Sequence, residues 1–185
     1  MTVKIYRAPV IRVPLPPEWL FSAQTFAKEY SEGGRNQNNK DEELKNRIRR
    51  WSETWYLCTC AFVWYFGGDV KAVIEQTLRT GWTPSIVLET ENNKFYCTTA
   101  SVHEEWCFGS KTTGTMSQKQ FARSKAGIFV MTALVVPDVD IIGWLPNKEF
   151  ENHLEGKRQV IRETTCRPMM ECPDIGERDT RRWYV

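Results

Sequence analysis

Apolar side chains run almost unbroken from Gly127 to Val136, GIFVMTALVV, and the run is rich in β-branched and aromatic residues. That composition, in a stretch too short to span a bilayer, predicts a strand covered on both faces. Pro137 and Asp138 supply a turn, and Val139 to Trp144 predicts a second strand of the same kind. Pro146 sits where a first helical turn tolerates a missing N–H, and Lys148, Glu149, Phe150 and His153 follow at helical spacing. The local grammar is strand, turn, strand, helix.

Upstream the period changes. Thr2 to Val13 alternates weakly, as an edge strand does, until Pro14, Pro16 and Pro17 stop it and open a helix. In that helix Trp19, Ala23, Phe26, Ala27 and Tyr30 recur at steps of three and four, and Gly33-Gly34 closes it. A polar linker, Arg35 to Lys40, leads to the longest periodic segment, where Leu44, Ile48, Trp51, Trp55, Cys58, Phe62 and Tyr65 form one stripe ended by Gly67-Gly68. Asp69 is placed to cap a shorter helix carrying Val73, Ile74 and Leu78 and ended by Gly81. Ile86 to Leu88 and Lys94 to Thr99 flank Asn92-Asn93, which suits an antiparallel hairpin. Gly109 to Gly127 is poor in large apolar residues and reads as a loop. The pattern predicts one α/β domain over residues 1–160, a mixed sheet flanked by helices, with residues 161–185 as an extension of alternating charge.

Composition narrows the class without choosing a task. With 185 residues and 41% hydrophobic content the chain can bury one substantial core. Twenty-five Lys and Arg stand against 23 Asp and Glu, so a net charge of +2 gives no bulk drive toward nucleic acid, and any basic surface must be local. No apolar run reaches the roughly 18 to 20 residues that cross a bilayer, and Met1 to Pro14 lacks the form of a secretory signal, so a cytoplasmic location is expected. The six cysteines then read as reduced thiols rather than a disulfide framework.

The segment Ile141, Ile142, Gly143, Trp144, Leu145, Pro146 with Glu149 and Phe150 resembles the C-terminal end of small PD-(D/E)XK nuclease-like proteins common in bacteriophage genomes. Leu15 to Ala27 is similar to the opening helix of that family, and Leu57 to Gly68 to its Leu-Gly-Glu-x-Ala-x-x-x-Tyr-Leu-Gly helix. The resemblance implies a PD-(D/E)XK fold and a site in which a helix glutamate, a strand aspartate and a hairpin acidic-x-lysine pair hold a divalent metal. Laid over this chain, the glutamate falls on Thr59, the aspartate on Ser85, and the hairpin pair on Tyr96 and Thr98. Hydroxyls do not replace the carboxylates that Mg²⁺ or Mn²⁺ needs, so the resemblance implies a nuclease fold without nuclease chemistry and without a cofactor. A nucleic acid, or a host protein that handles nucleic acid in defence or transcription, is the partner it implies.

Other readings stay open beside it. Glu53, Glu89, Glu91 and Lys94 supply groups for a migrated metal site, which would make the protein an active Mg²⁺- or Mn²⁺-dependent nuclease. Lys111, Lys119, Arg123 and Lys125 lie in a stretch without acidic residues, among hydroxyls and glycines that suit DNA or RNA phosphates; the plain alternative is a solvated loop. His103, Cys107, Cys166 and Cys172 are of the residue types that bind zinc, although free cysteines are ordinarily small buried hydrophobes. Trp64 is rotated away from Trp51 and Trp55 on the long helix and suits a protein partner, and Trp106, just before the basic stretch, suits a protein partner or base stacking; both also suit core packing. A purely structural or interaction protein is the remaining class.

Overall fold

In the computed structural model, residues 10–33, 36–38, 40–72, 75, 87–89, 93–101, 113–124 and 127–173 are described. The first strand, β1 (Ile11–Pro14), runs into helix α1 (Pro17–Glu32), whose first residue is the expected proline. Gly33 closes α1 with its N–H on the Glu29 carbonyl at 2.8 Å. Helix α2 (Glu42–Tyr65) starts at Asp41, whose side chain accepts from the Leu44 N–H. It ends where Gly67 takes φ 73° and Gly68 donates to the Val63 carbonyl, a closure that needs a residue without a Cβ. Asp69 caps the next turn through the Ala72 N–H, and residues 70–72 are helical; Val73, Ile74, Leu78 and Gly81 lie outside the described residues.

Strands β2 (Val87–Glu89) and β3 (Lys94–Ser101) form the expected hairpin, with Glu89 in register with Lys94. The stretch expected to be a loop is instead strand β4 (Thr113–Ser117) followed by helix α3 (Gln118–Ser124). Its alternation, Gly114 and Met116 inward and Thr115 outward, is carried by small and hydroxylated residues, so it is quiet on a hydrophobicity scale. The paired strands β5 (Ile128–Val135) and β6 (Asp138–Pro146) and helix α4 (Asn147–Glu151) follow as the pattern predicts. The chain continues through β7 (Leu154–Glu155) and β8 (Arg158–Arg162) into two 3-10 turns.

Among the described residues these strands make one mixed sheet, ordered β1-β6-β5-β3-β4-β8-β7, with β2 paired to β3. Only β3 and β5 run parallel, with β4 and α3 in the connection between them. Phe95, Cys97, Ile128, Val130, Val139 and Ile141 face the two long helices, where Phe66 stands 4.7 Å from Phe95 and Phe26 packs on Trp55 and Tyr56. The alternate residues Tyr96, Phe129, Met131 and Leu145 form a second core, closed by Phe121 of α3, Phe150 of α4 and the curled-over strands bearing Met116 and Ile161.

The boundary expected at residue 160 falls inside β8. Ile161, Met169 and Cys172 are buried, so residues 161–173 belong to the core rather than to an appendage. They are held by β6: Trp144 and Arg167 exchange backbone hydrogen bonds, and the Trp144 indole donates to the Pro168 carbonyl. Gly143 makes the approach possible, because a Cβ there would meet the Arg167 carbonyl oxygen at 2.5 Å. The Arg167 guanidinium covers the Trp144 ring and pairs with Glu149. The glycine, tryptophan and glutamate that carried the family resemblance thus have a structural task in this chain.

Candidate nucleic-acid interface

The most chemically distinctive surface lies on the outer face of β4 and β8. Antiparallel register sets Thr113 beside Arg162, Thr115 beside Val160 and Ser117 beside Arg158, while Gly114, Met116, Gln159 and Ile161 point inward. Strand pleating therefore separates a buried apolar face from a face of hydroxyls and guanidinium groups. Arg158 is exposed and donates from Nη2 to Thr115 Oγ1 at 2.8 Å, and among the described residues no carboxylate pairs with it. Arg162 pairs with Glu155, the residue opposite Arg158 across the β7–β8 hairpin. Lys119, two residues beyond Ser117, and Lys157 at the hairpin turn are both exposed. Arg158 and Arg162 thus share one strand face with the hydroxyls of Thr113, Thr115 and Ser117, with Lys119 and Lys157 at its ends in sequence, which is the chemistry that phosphate oxygens accept.

No family model, curated protein or solved structure matches this chain. The site is therefore read on its own geometry.

Of the expected basic residues, Lys119 is exposed on α3, two residues beyond Ser117; Arg123 lies on α3 with only its backbone described, and Lys111 and Lys125 lie outside the described residues. Arg158 and Arg162 do not stand out in the sequence, although Arg-Gln-Val-Ile-Arg carries a strand pattern with charged ends. What brings them to Thr113 and Thr115 is a pairing across more than forty residues, which no local spacing announces.

The positions matched to the nuclease motif do not share one side of the sheet. Thr59 is buried in α2, its hydroxyl without a hydrogen-bond partner among the described residues, while Tyr96 lies in the second core, 5.7 Å from Phe129 and across the sheet from α2. Thr98 is in backbone register with Met131, and Ser85 lies outside the described residues. The migrated set is also spread out. Phe66, beyond the end of α2, packs on Phe95, next to Lys94, whereas Glu53 lies about 20 Å back along the helix axis at 1.5 Å per residue. Glu89 stays beside Lys94 in the hairpin register, and Glu91 lies outside the described residues.

Cys166 and Cys172 sit in different cores: the Cys166 thiol faces Met131 Sδ at 3.7 Å in the second, and Cys172 is buried with the helices in the first. His103 and Cys107 lie outside the described residues, within which no group of three potential metal ligands occurs. Burial pushes the Cys60, Cys97 and Cys166 thiols up to about 12, and it raises Cys58 further. A thiol so held is neutral at physiological pH and a poor nucleophile. Trp64 is 41% exposed, but Trp51, which belongs to the stripe, is 45% exposed, so rotation off the stripe does not set Trp64 apart; Trp106 lies outside the described residues. No helix among the described residues is long and apolar enough to cross a membrane.

Proposed function

We propose that this protein binds nucleic acid through its phosphate backbone and does not cut it. The observation that carries this reading is the outer face of β4 and β8, where Arg158 and Arg162 stand among Thr113, Thr115 and Ser117, with the exposed Lys119 on the helix that follows β4. Backbone phosphates are recognised by such mixtures of guanidinium, ammonium and hydroxyl donors, and binding of this kind needs no sequence-reading element. A PD-(D/E)XK-like origin, in a phage genome, is the ancestry we propose for it. It is supported by the long helix, the following hairpin and the strand–turn–strand–helix unit, all lying at the residues that carry the resemblance. Because Thr59 and Tyr96 lie on opposite faces of the sheet, the overlay of the nuclease motif does not mark a former catalytic site here, and the cleavage assay decides the non-cutting half of the proposal.

The test is to incubate the purified chain with labelled single- and double-stranded DNA and RNA, in Mg²⁺, Mn²⁺ or EDTA, scoring retention and cleavage together. Retention without cleavage is expected, with log K falling linearly in log salt. Replacing Arg158, Arg162 and Lys119 by alanine together should lower affinity for all sequences alike and reduce the salt slope by about one for each phosphate that is no longer neutralised. Cleavage abolished by EDTA would overturn the non-cutting reading. Absence of salt-sensitive retention would overturn nucleic-acid binding itself.

A further inference from the structure

From the β7–β8 hairpin we infer that Glu155 is an internal competitor of phosphate, occupying Arg162 until a nucleic-acid backbone displaces it. The inference rests on the proposed phosphate-binding face and assigns it an affinity-setting residue. The hairpin has a two-residue turn in which Gly156 takes φ 60°, a conformation that suits glycine, and this locks Glu155 opposite Arg158. From that position the Glu155 carboxylate pairs with Arg162, four residues farther along β8. The pairing requires the Arg162 side chain to lie back along its strand, past Val160. Val160 is only 5% exposed although it belongs to the outer face, which agrees with an arginine stem lying over it.

The arrangement leaves the two arginines in different states. Among the described residues Arg158 is held by the Thr115 hydroxyl without a carboxylate, whereas Arg162 has its charge offset by one. Side-chain exposures of 37% for Arg162 and 52% for Glu155 leave the pair open to solvent, where an ion pair is weak enough for another anion to exchange with it. A phosphate arriving on Arg158 therefore meets a second guanidinium whose present partner is a singly charged, solvent-exposed anion with which it can exchange. Glu155 lowers affinity by the free energy of that exchange and removes one cation from the field the nucleic acid encounters.

The experiment measures binding of a labelled DNA single strand and its duplex by fluorescence anisotropy across a salt series. The proteins are the wild-type chain, Glu155→Gln, Arg162→Ala and the double variant. Glu155→Gln is expected to tighten binding about two- to fivefold, the range of an exposed ion pair, and to steepen the salt slope. The gain should vanish in the Arg162→Ala background, because the carboxylate acts through that arginine. Wild-type binding with no gain from Glu155→Gln, or a gain that survives removal of Arg162, would overturn the inference while leaving the proposed function intact. No binding by any of the four proteins would overturn both.

Discussion

At the scale of single residues, Gly143 shows how a motif residue can be conspicuous in sequence while its reason stays hidden. An alanine methyl there would stand 2.5 Å from the Arg167 carbonyl oxygen and 2.7 Å from the Cys166 Cβ, and a backbone atom cannot swing aside as a side chain can. Gly143→Ala should therefore lower the urea midpoint by the equivalent of about 1–3 kcal/mol, the usual cost of overpacking. An unchanged midpoint would mean that residues 166–168 move away at no cost. The neighbouring Trp144 reads in sequence as a buried strand residue, and it is one, but its partner Arg167 is a charged residue that no hydrophobic pattern would select. Polar partners of this sort are set by tertiary proximity. The same holds for Arg12 and Asp140, cross-strand neighbours whose bidentate pair places a fully buried carboxylate in β6. Two aspartates, Asp138 and Asp140, interrupt the apolar pattern of β6, and nothing in their local spacing tells what neutralises the buried one.

At the scale of elements, strong periodicity was legible and weak periodicity was not. The stripe from Leu44 to Tyr65 and the apolar runs of β5 and β6 gave their elements because burial there is carried by large side chains. β4 escaped because its inward positions are Gly114 and Met116, and its outward ones hydroxyls, a sequence equally at home in a loop. β8 was divided by the expected boundary at residue 160 because its flanks are charged, yet Gln159, Val160 and Ile161 are buried at its centre. A chain ending at residue 160 would lack Ile161, Met169 and Cys172 in the two cores and the backbone pair at Trp144. It should fail to unfold cooperatively, since removal of one large core side chain alone costs about 2–5 kcal/mol. Guanidinium unfolding followed by tryptophan fluorescence would show this, and a sharp transition near the full-length midpoint would refute it. The candidate interface was half legible for the same reason: Lys119 was visible in a stretch without acids, and Arg158 and Arg162 belonged to the strand that local spacing could not join to it.

At the scale of the whole molecule, the buried thiols couple stability to alkaline pH. Cys60, Cys97 and Cys166 move from an ordinary value of 9.0 to about 12 because burial disfavours the thiolate. The folded chain thus keeps protons that the unfolded chain releases. The associated stability is present in full below about 9 and declines as pH rises toward about 12. Urea midpoints should fall across that window, and the native thiols should resist a thiol reagent that reacts fully once the protein is denatured; a flat midpoint would mean that the thiols are not desolvated. The fold also has a temporal consequence. Among the described residues β1 pairs only with β6, Ile11 opposite Ile141, and Arg167 bridges to Trp144 farther along that side. During synthesis β1 therefore cannot meet this partner until more than a hundred further residues have left the ribosome. That edge of the described sheet is closed by a late, long-range event.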